Sequence, residues 1–184
     1  MEIKNMHTTE QWLDKITSSE EELSHWLQRQ YVGEVTASNR IKNLITEFKE
    51  KFDEKPNWVP VIEKIASDEE KHAEWVKQLL VSRNIEIPST DDAEKRYWKQ
   101  IGLEDLSFED TAAAGHHAEH MRLVRIRALA DSEKVDNDIR EVFGKILPDE
   151  EFHEKAFKIM ATEESIKKML DKHEAGMQSL GLEI

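Results

Sequence analysis

The feature of this sequence that most limits its fold is the presence of single glutamates within apolar helical patterns. Four long segments repeat apolar residues every three or four positions, which is the spacing of one helix face. Each apolar stripe contains a glutamate: Glu34, Glu69, Glu119 and Glu150. Burying an unpaired carboxylate costs about several kcal/mol. We therefore expect an all-α protein whose buried acids are protonated, paired or bound to metal.

Composition agrees with this expectation. Glycine and proline are scarce, at 6 and 4 residues, and 35% of the chain is charged, a balance that suits long amphipathic helices better than strands. A chain of 184 residues can bury a substantial core in one domain. We expect a single domain over residues 1–184, with a bundle core at about 19–160, a short N-terminal helix at 8–16 and a C-terminal helix at about 162–180.

Caps and breaks mark the ends of these helices. A capping box at Ser18 or Ser19 predicts the start of the first long helix, and Ser107 with Asp110 predicts the start of the third. Residues 84–106 are expected to be a longer connection that contains a short helical piece, DAEKRYW. Pro148 predicts a kink or a restart of the fourth helix, because proline lacks a backbone N–H and clashes with the preceding turn.

The motif Glu-x-x-His occurs twice, as Glu69 with His72 and as Glu150 with His153. A spacing of three places both side chains on one helix face, one turn apart, so each pair can bind one ion. Two divalent cations balance four carboxylates, and oxygen and imidazole ligands suit iron, manganese or zinc. A single glutamate in an apolar stripe is more often an edge residue whose carboxylate reaches water. The four glutamates together with two matched histidines favour a metal site.

The order Glu, Glu-x-x-His, Glu, Glu-x-x-His on four helices resembles the ferritin-like di-iron carboxylate proteins. The sequence DEEKHAE, residues 68–74, is similar to the second-helix motif of rubrerythrins and bacterioferritins. The resemblance covers about residues 19–160 and implies an antiparallel four-helix bundle with a long crossover and extra N- and C-terminal helical segments. It implies that Glu69 and Glu150 bridge two irons, and that the metal ligands are Glu34, Glu69, His72, Glu119, Glu150 and His153.

Two departures from these relatives limit the cofactors that we expect. The chain has no cysteine, so it cannot hold the four-cysteine iron centre of a rubredoxin module, and any reductant must come from outside. Glu70 occupies the position at which bacterioferritins place a haem-ligating methionine, so no haem is expected. The expected cofactor is two iron ions, and manganese–iron and dimanganese pairs stay open because they share these ligands.

Three more residues lie one helical turn from an expected ligand and are candidates for a supporting role: Tyr31, His116 and Arg122. Each can orient a ligand through a hydrogen bond, and Tyr31 can also be a redox-active phenol. Plain packing or a surface position is the alternative for all three. His116 and His120 also form an i, i+4 pair that suits a second metal, although histidines on a helix surface are more often solvated.

Dioxygen or peroxide activation is the function that this residue set favours. The two metals would stabilise the reduced oxygen species, and electrons would come from an unidentified substrate or from an external donor. The protein would then be an oxygenase or a peroxidase. Two alternatives stay open: a ferroxidase that oxidises Fe(II) as its substrate, and a non-catalytic metal-binding bundle.

The charge of the chain bears on its partners. A net charge of −13 disfavours contact with nucleic acid or anionic membranes, and the short run RLVRIR is the one basic exception. The first residues lack the apolar region of a signal peptide, and no run of 18 apolar residues occurs. We expect a cytoplasmic protein without nucleic-acid or membrane partners, and a homodimer is compatible with this expectation.

Overall fold

The computed structural model describes residues 7–89 and 95–182. Within those ranges the chain forms no strand, and a single backbone bridge joins His7 to Leu182. The prediction of an all-α protein is confirmed. The α-helices of the described residues are α1 (Thr9–Ile16), α2 (Glu20–Glu47), α3 (Lys49–Glu54), α4 (Val59–Ser82), α5 (Lys95–Ile101), α6 (Phe108–Ala130), α7 (Asn137–Met160) and α8 (Glu163–Leu180).

One compact unit contains α2, α3 and α4, and its described residues are 19–89. Its long helices α2 and α4 pack along each other, and each helix buries an apolar stripe. The buried residues include Leu27 and Ile41 on α2, and Ile62 and Leu80 on α4. The Ser19 hydroxyl accepts a hydrogen bond from the Glu22 backbone N–H at 3.2 Å, so Ser19 rather than Ser18 caps α2. This pairing brings one face of each long helix into the interior.

The described residues of a second compact unit are 7–18 and 95–182. Here α6 packs along α7, and α8 packs against both α5 and α6. The Phe157 ring lies so close to Gly115 that a Cβ at that position would be 3.0 Å from the ring. The missing side chain therefore allows close approach of α6 and α7. The single-domain organisation of residues 1–184 stays a prediction.

Most of the predicted helix ends are confirmed. The Ser107 hydroxyl accepts a hydrogen bond from the Asp110 backbone N–H at 3.1 Å and caps α6. The helix α8 ends at Leu180, and Gly181 caps it with a φ of 75°, a left-handed conformation that favours glycine. Of the predicted helical piece DAEKRYW, residues 95–98 lie in α5 and residues 92–94 lie outside the described residues.

The predicted restart at Pro148 is wrong, because α7 runs as one helix from Asn137 to Met160. Proline removes one hydrogen bond to the carbonyl four residues earlier, on Gly144. Both Gly144 and Pro148 are exposed, so water can satisfy that carbonyl. The predicted kink stays a prediction. None of the helices in residues 7–89 and 95–182 is long and apolar enough to cross a membrane.

The contact between α5 and α8 depends on Gly176, which lies under the Tyr97 ring. A Cβ on Gly176 would be 2.6 Å from that ring, so Gly176→Ala is expected to lower the free energy of unfolding by about 1–3 kcal/mol through overpacking. Gly144→Ala is the matched control, because a Cβ there meets no atom within 4 Å and alanine favours the helix by about 1 kcal/mol. Denaturant unfolding of both variants measures the difference, and equal effects would contradict the close contact.

Candidate metal centre

The first candidate group lies on the helix pair α2 and α4, and we call it the α2–α4 group: Glu34, Glu69 and His72. Each side chain offers one ligand atom, and these atoms lie within 4.8 Å of one another. All three residues are fully buried. The His72 Nδ1 is 3.7 Å from the Glu34 Oε2, which is too long for a hydrogen bond. Two ligands at about 2.1 Å from a shared ion lie up to about 4.2 Å apart, so this distance suits metal binding.

Gln30 supports the Glu34 carboxylate from the preceding turn of α2. Its side-chain amide donates a hydrogen bond to the Glu34 Oε1, and a hydrogen bond of this kind fixes the orientation of a carboxylate ligand. Gln30 was not predicted from the sequence. The available signal was its i, i+4 spacing from Glu34, which places both side chains on one helix face.

The second candidate group lies on the helix pair α6 and α7, and we call it the α6–α7 group: Glu119, Glu150 and His153. Their ligand atoms also lie within 4.8 Å of one another, and all three side chains are buried. The His153 Nδ1 is 3.9 Å from the Glu150 Oε2. The Glu-x-x-His spacing on α7 and the packing of α6 along α7 bring the three side chains together. This group repeats the two carboxylates and one imidazole of the α2–α4 group.

Arg122 lies inside the α6–α7 group rather than on the surface. Its Nη1 is 3.5 Å from the Glu119 Oε2 and 3.7 Å from the Glu150 Oε1, and about nine-tenths of its side chain is buried. A buried cation beside two carboxylates offsets part of their mutual repulsion. With both carboxylates ionised, the α6–α7 group and Arg122 together carry one net negative charge.

His116 and His120 both contact Glu154 on α7. The His116 Nδ1 is 3.3 Å from the Glu154 backbone oxygen, and the His120 Nδ1 is 2.9 Å from the Glu154 Oε1. Burial lowers the pKa of His116 below its ordinary value, which favours the neutral imidazole. Glu154 follows the expected ligand His153 in the chain and was not predicted as a site residue from the sequence.

Tyr31 is half-buried and lines a pocket of about 220 Å³ on the helix pair α2 and α4. Ser38, Asn39 and Ala73 line the same pocket. Because Asn39 is exposed, the pocket opens at the protein surface. Tyr31 therefore lies one turn from Glu34 on the side of the helix pair that opens outward. A supporting role for its hydroxyl stays a prediction.

The fold and the buried groups define a class of protein: an all-helical chain with the carboxylate and imidazole side chains of a di-metal site. The rubrerythrin family model matches residues 25–161, a span that includes both candidate groups. The chain belongs to the rubrerythrin family, and the predicted ferritin-like fold is confirmed. No curated protein and no solved structure matches the chain.

Proposed function

We propose that this protein is a di-metal oxidoreductase that reacts with peroxide or dioxygen and oxidises a substrate that the structure does not identify. The observation that supports the proposal is the pair of buried Glu–Glu–His groups within the region that matches the rubrerythrin family. In this proposal the α2–α4 group binds one metal ion and the α6–α7 group binds the other. Two iron ions are the expected cofactor, and electrons reach them from an external donor.

The donor atoms of both groups fit this cofactor. Carboxylate and imidazole ligands suit iron and manganese, and four ionised carboxylates balance the charge of two divalent ions. When bound, iron supplies the electrons that reduce peroxide or dioxygen and a positive charge that stabilises the reduced oxygen. The protein excludes bulk water, because the ligand side chains are buried, and Gln30 fixes the Glu34 carboxylate. Bridging by Glu69 and Glu150, which the family resemblance implies, stays a prediction.

An anaerobic Fe(II) titration of metal-free protein, followed by a pulse of peroxide or dioxygen, tests the proposal. We expect binding to saturate at two irons per chain, because each group offers three ligands. Peroxide or dioxygen should then oxidise both irons, and Mössbauer spectra should show a spin-coupled pair if the ions share bridging carboxylates. Glu69→Gln should weaken binding, whereas Glu70→Gln should not, because Glu70 is largely exposed and pairs with Lys42.

Other outcomes identify the alternative functions. Continued uptake and oxidation of iron beyond two per chain would indicate a ferroxidase that handles iron as its substrate. Binding of two metals without oxidation by either oxidant would indicate a non-catalytic metal-binding protein. Equal binding by Glu69→Gln and Glu70→Gln would remove Glu69 from the ligand set.

A further inference from the structure

Two histidines of α6 contact the same residue of α7. The His120 Nδ1 is 2.9 Å from the Glu154 Oε1, and the His116 Nδ1 is 3.3 Å from the Glu154 backbone oxygen. His116 and His120 are four residues apart, so their side chains lie on one face of α6. The packing of α6 along α7 therefore places two imidazoles beside each other, and Glu154 holds both rings.

The two contacts with Glu154 assign the tautomer of each ring. A carboxylate oxygen and a backbone carbonyl oxygen only accept hydrogen bonds, so the Nδ1 of each histidine carries a hydrogen and donates it. In a neutral imidazole the other ring nitrogen, Nε2, then carries a lone pair. Burial lowers the pKa of His116, so its ring is neutral near pH 7. Within the described part of the chain, no hydrogen bond engages the Nε2 of His116 or His120.

This arrangement is the one that supports histidine ligands in metal sites. A histidine that binds a metal ion through one ring nitrogen almost always donates its other ring N–H to a carboxylate or to a backbone carbonyl. His120 has the carboxylate partner and His116 has the backbone partner. Both outer hydrogen bonds of a two-histidine site are therefore present, and both Nε2 atoms are available as ligands.

The separation of the two rings is close to the separation that one shared ion requires. The ring centroids of His116 and His120 are 6.4 Å apart. Metal–nitrogen distances of about 2.0–2.1 Å hold the centroids of two imidazoles about 5 Å apart, so the rings must approach by about 1–2 Å. The His120 side chain is 60% exposed, so little packing opposes this movement.

We propose that His116 and His120 bind one divalent transition-metal ion through their Nε2 atoms, and that Glu154 is the positioning residue for both rings. This site is separate from the α2–α4 group and the α6–α7 group, and it does not depend on the proposed function. Imidazole ligands suit Cu²⁺, Ni²⁺ and Zn²⁺, and affinity generally rises from Fe²⁺ through Ni²⁺ to Cu²⁺. The pair lacks a carboxylate ligand, so we expect Cu²⁺ and Ni²⁺ rather than Fe²⁺ to occupy it.

Two protein ligands leave coordination positions for water or for a ligand from solution. The exposed His120 places these positions towards the solvent, so the bound ion exchanges with its surroundings. A metal chelate can occupy the same positions, which makes a chelate a suitable probe. The ligand side chains of the two buried groups are at most 4% exposed, so a chelate in solution does not reach them.

Calorimetric titration with Cu²⁺ held by excess iminodiacetate tests the proposal. This chelate keeps coordination positions free for two imidazoles, and the chelator prevents the ion from entering the bundle. We expect the parent to bind one chelate per chain with an affinity well above that of a single exposed histidine. The electron paramagnetic resonance spectrum of the bound Cu²⁺ should show coupling to two imidazole nitrogens.

Variants of the three residues separate ligands from support. Loss of an outer hydrogen-bonding partner costs about 10–100-fold in metal affinity. Glu154→Ala should weaken binding by that amount, and Glu154→Gln should weaken it less, because an amide oxygen still accepts the His120 Nδ1–H. His120→Ala removes a ligand and should cost at least about 10-fold. His25→Ala is the matched control, because it removes an exposed histidine of α2 and should leave binding unchanged.

Three results would overturn the proposal. His120→Ala could bind the chelate as tightly as the parent, which would remove His120 from the site. His25→Ala could weaken binding as much as His120→Ala, which would show that any exposed histidine binds the chelate. Unchanged affinity in Glu154→Ala would overturn the positioning role of Glu154. None of these results alters the expected binding of Fe(II) to the two buried groups, so failure of this proposal is distinguishable from failure of the proposed function.

Discussion

Replacing Glu150 with alanine is expected to lower the iron stoichiometry from two per chain to one. Glu150 supplies one of the two carboxylates of the α6–α7 group, and the Arg122 Nη1 lies 3.7 Å from its Oε1. In the variant, Glu119 and the Arg122 guanidinium cancel in charge, so a dication meets no net attraction there. Loss of a residue that only supports a ligand costs about 10–100-fold in metal affinity. We expect loss of the ligand itself to cost more than about 100-fold, measured by anaerobic Fe(II) titration.

Glu151→Ala is the matched control for this change. Glu151 is the next residue of α7, and its half-exposed carboxylate accepts a hydrogen bond from the Arg127 guanidinium at 2.7 Å. The substitution removes the same charge from the same helix without touching the α6–α7 group. This control should still bind two irons per chain. If Glu150→Ala also binds two with unchanged affinity, Glu150 is not a ligand.

The helices were predictable because their signals are local. Apolar spacing of three and four fixes which face of a helix is buried, and Ser107 is a cap because its hydroxyl reaches a backbone N–H three residues away. Pro148 shows the limit of this reasoning. A mid-helix proline removes one hydrogen bond and crowds the carbonyl four residues earlier. Whether water can reach that carbonyl, on Gly144, depends on tertiary packing that the local sequence does not specify.

The composition of each candidate group was predictable for a related reason. The Glu-x-x-His spacing places Glu69 beside His72 and Glu150 beside His153 on any α-helix. The position of Arg122 was undecided between a ligand-orienting role and the surface, because helix spacing puts it near Glu119 but does not specify what faces it from α7. The hydrogen bond between His120 and Glu154, which are 34 residues apart in the chain, depends on the packing of α6 against α7 and leaves no periodic signal.

Replacing Arg122 with methionine is expected to destabilise metal-free protein far more than metal-loaded protein. In the metal-free state the guanidinium is the buried cation beside Glu119 and Glu150. Its loss leaves their charges to repel, and breaking a buried ion pair from one side costs about 3–5 kcal/mol. A bound divalent ion supplies the missing positive charge. Urea unfolding with and without Zn²⁺, which is redox-inert, should therefore show a larger stabilisation by metal in the variant than in the parent.

Arg127→Met controls for the loss of a positive charge on the same helix, α6. Arg127 pairs with Glu151 at the surface, and such exposed pairs contribute about 0–1 kcal/mol, so both metal states should change little. Two results would contradict the role assigned to Arg122. An unchanged unfolding midpoint in metal-free Arg122→Met would show that the guanidinium does not offset the carboxylate charges. An equal loss of stability with and without Zn²⁺ would show that the ion and the guanidinium do not share the same carboxylates. When two cations share one pair of carboxylates, each cation contributes most to stability in the absence of the other.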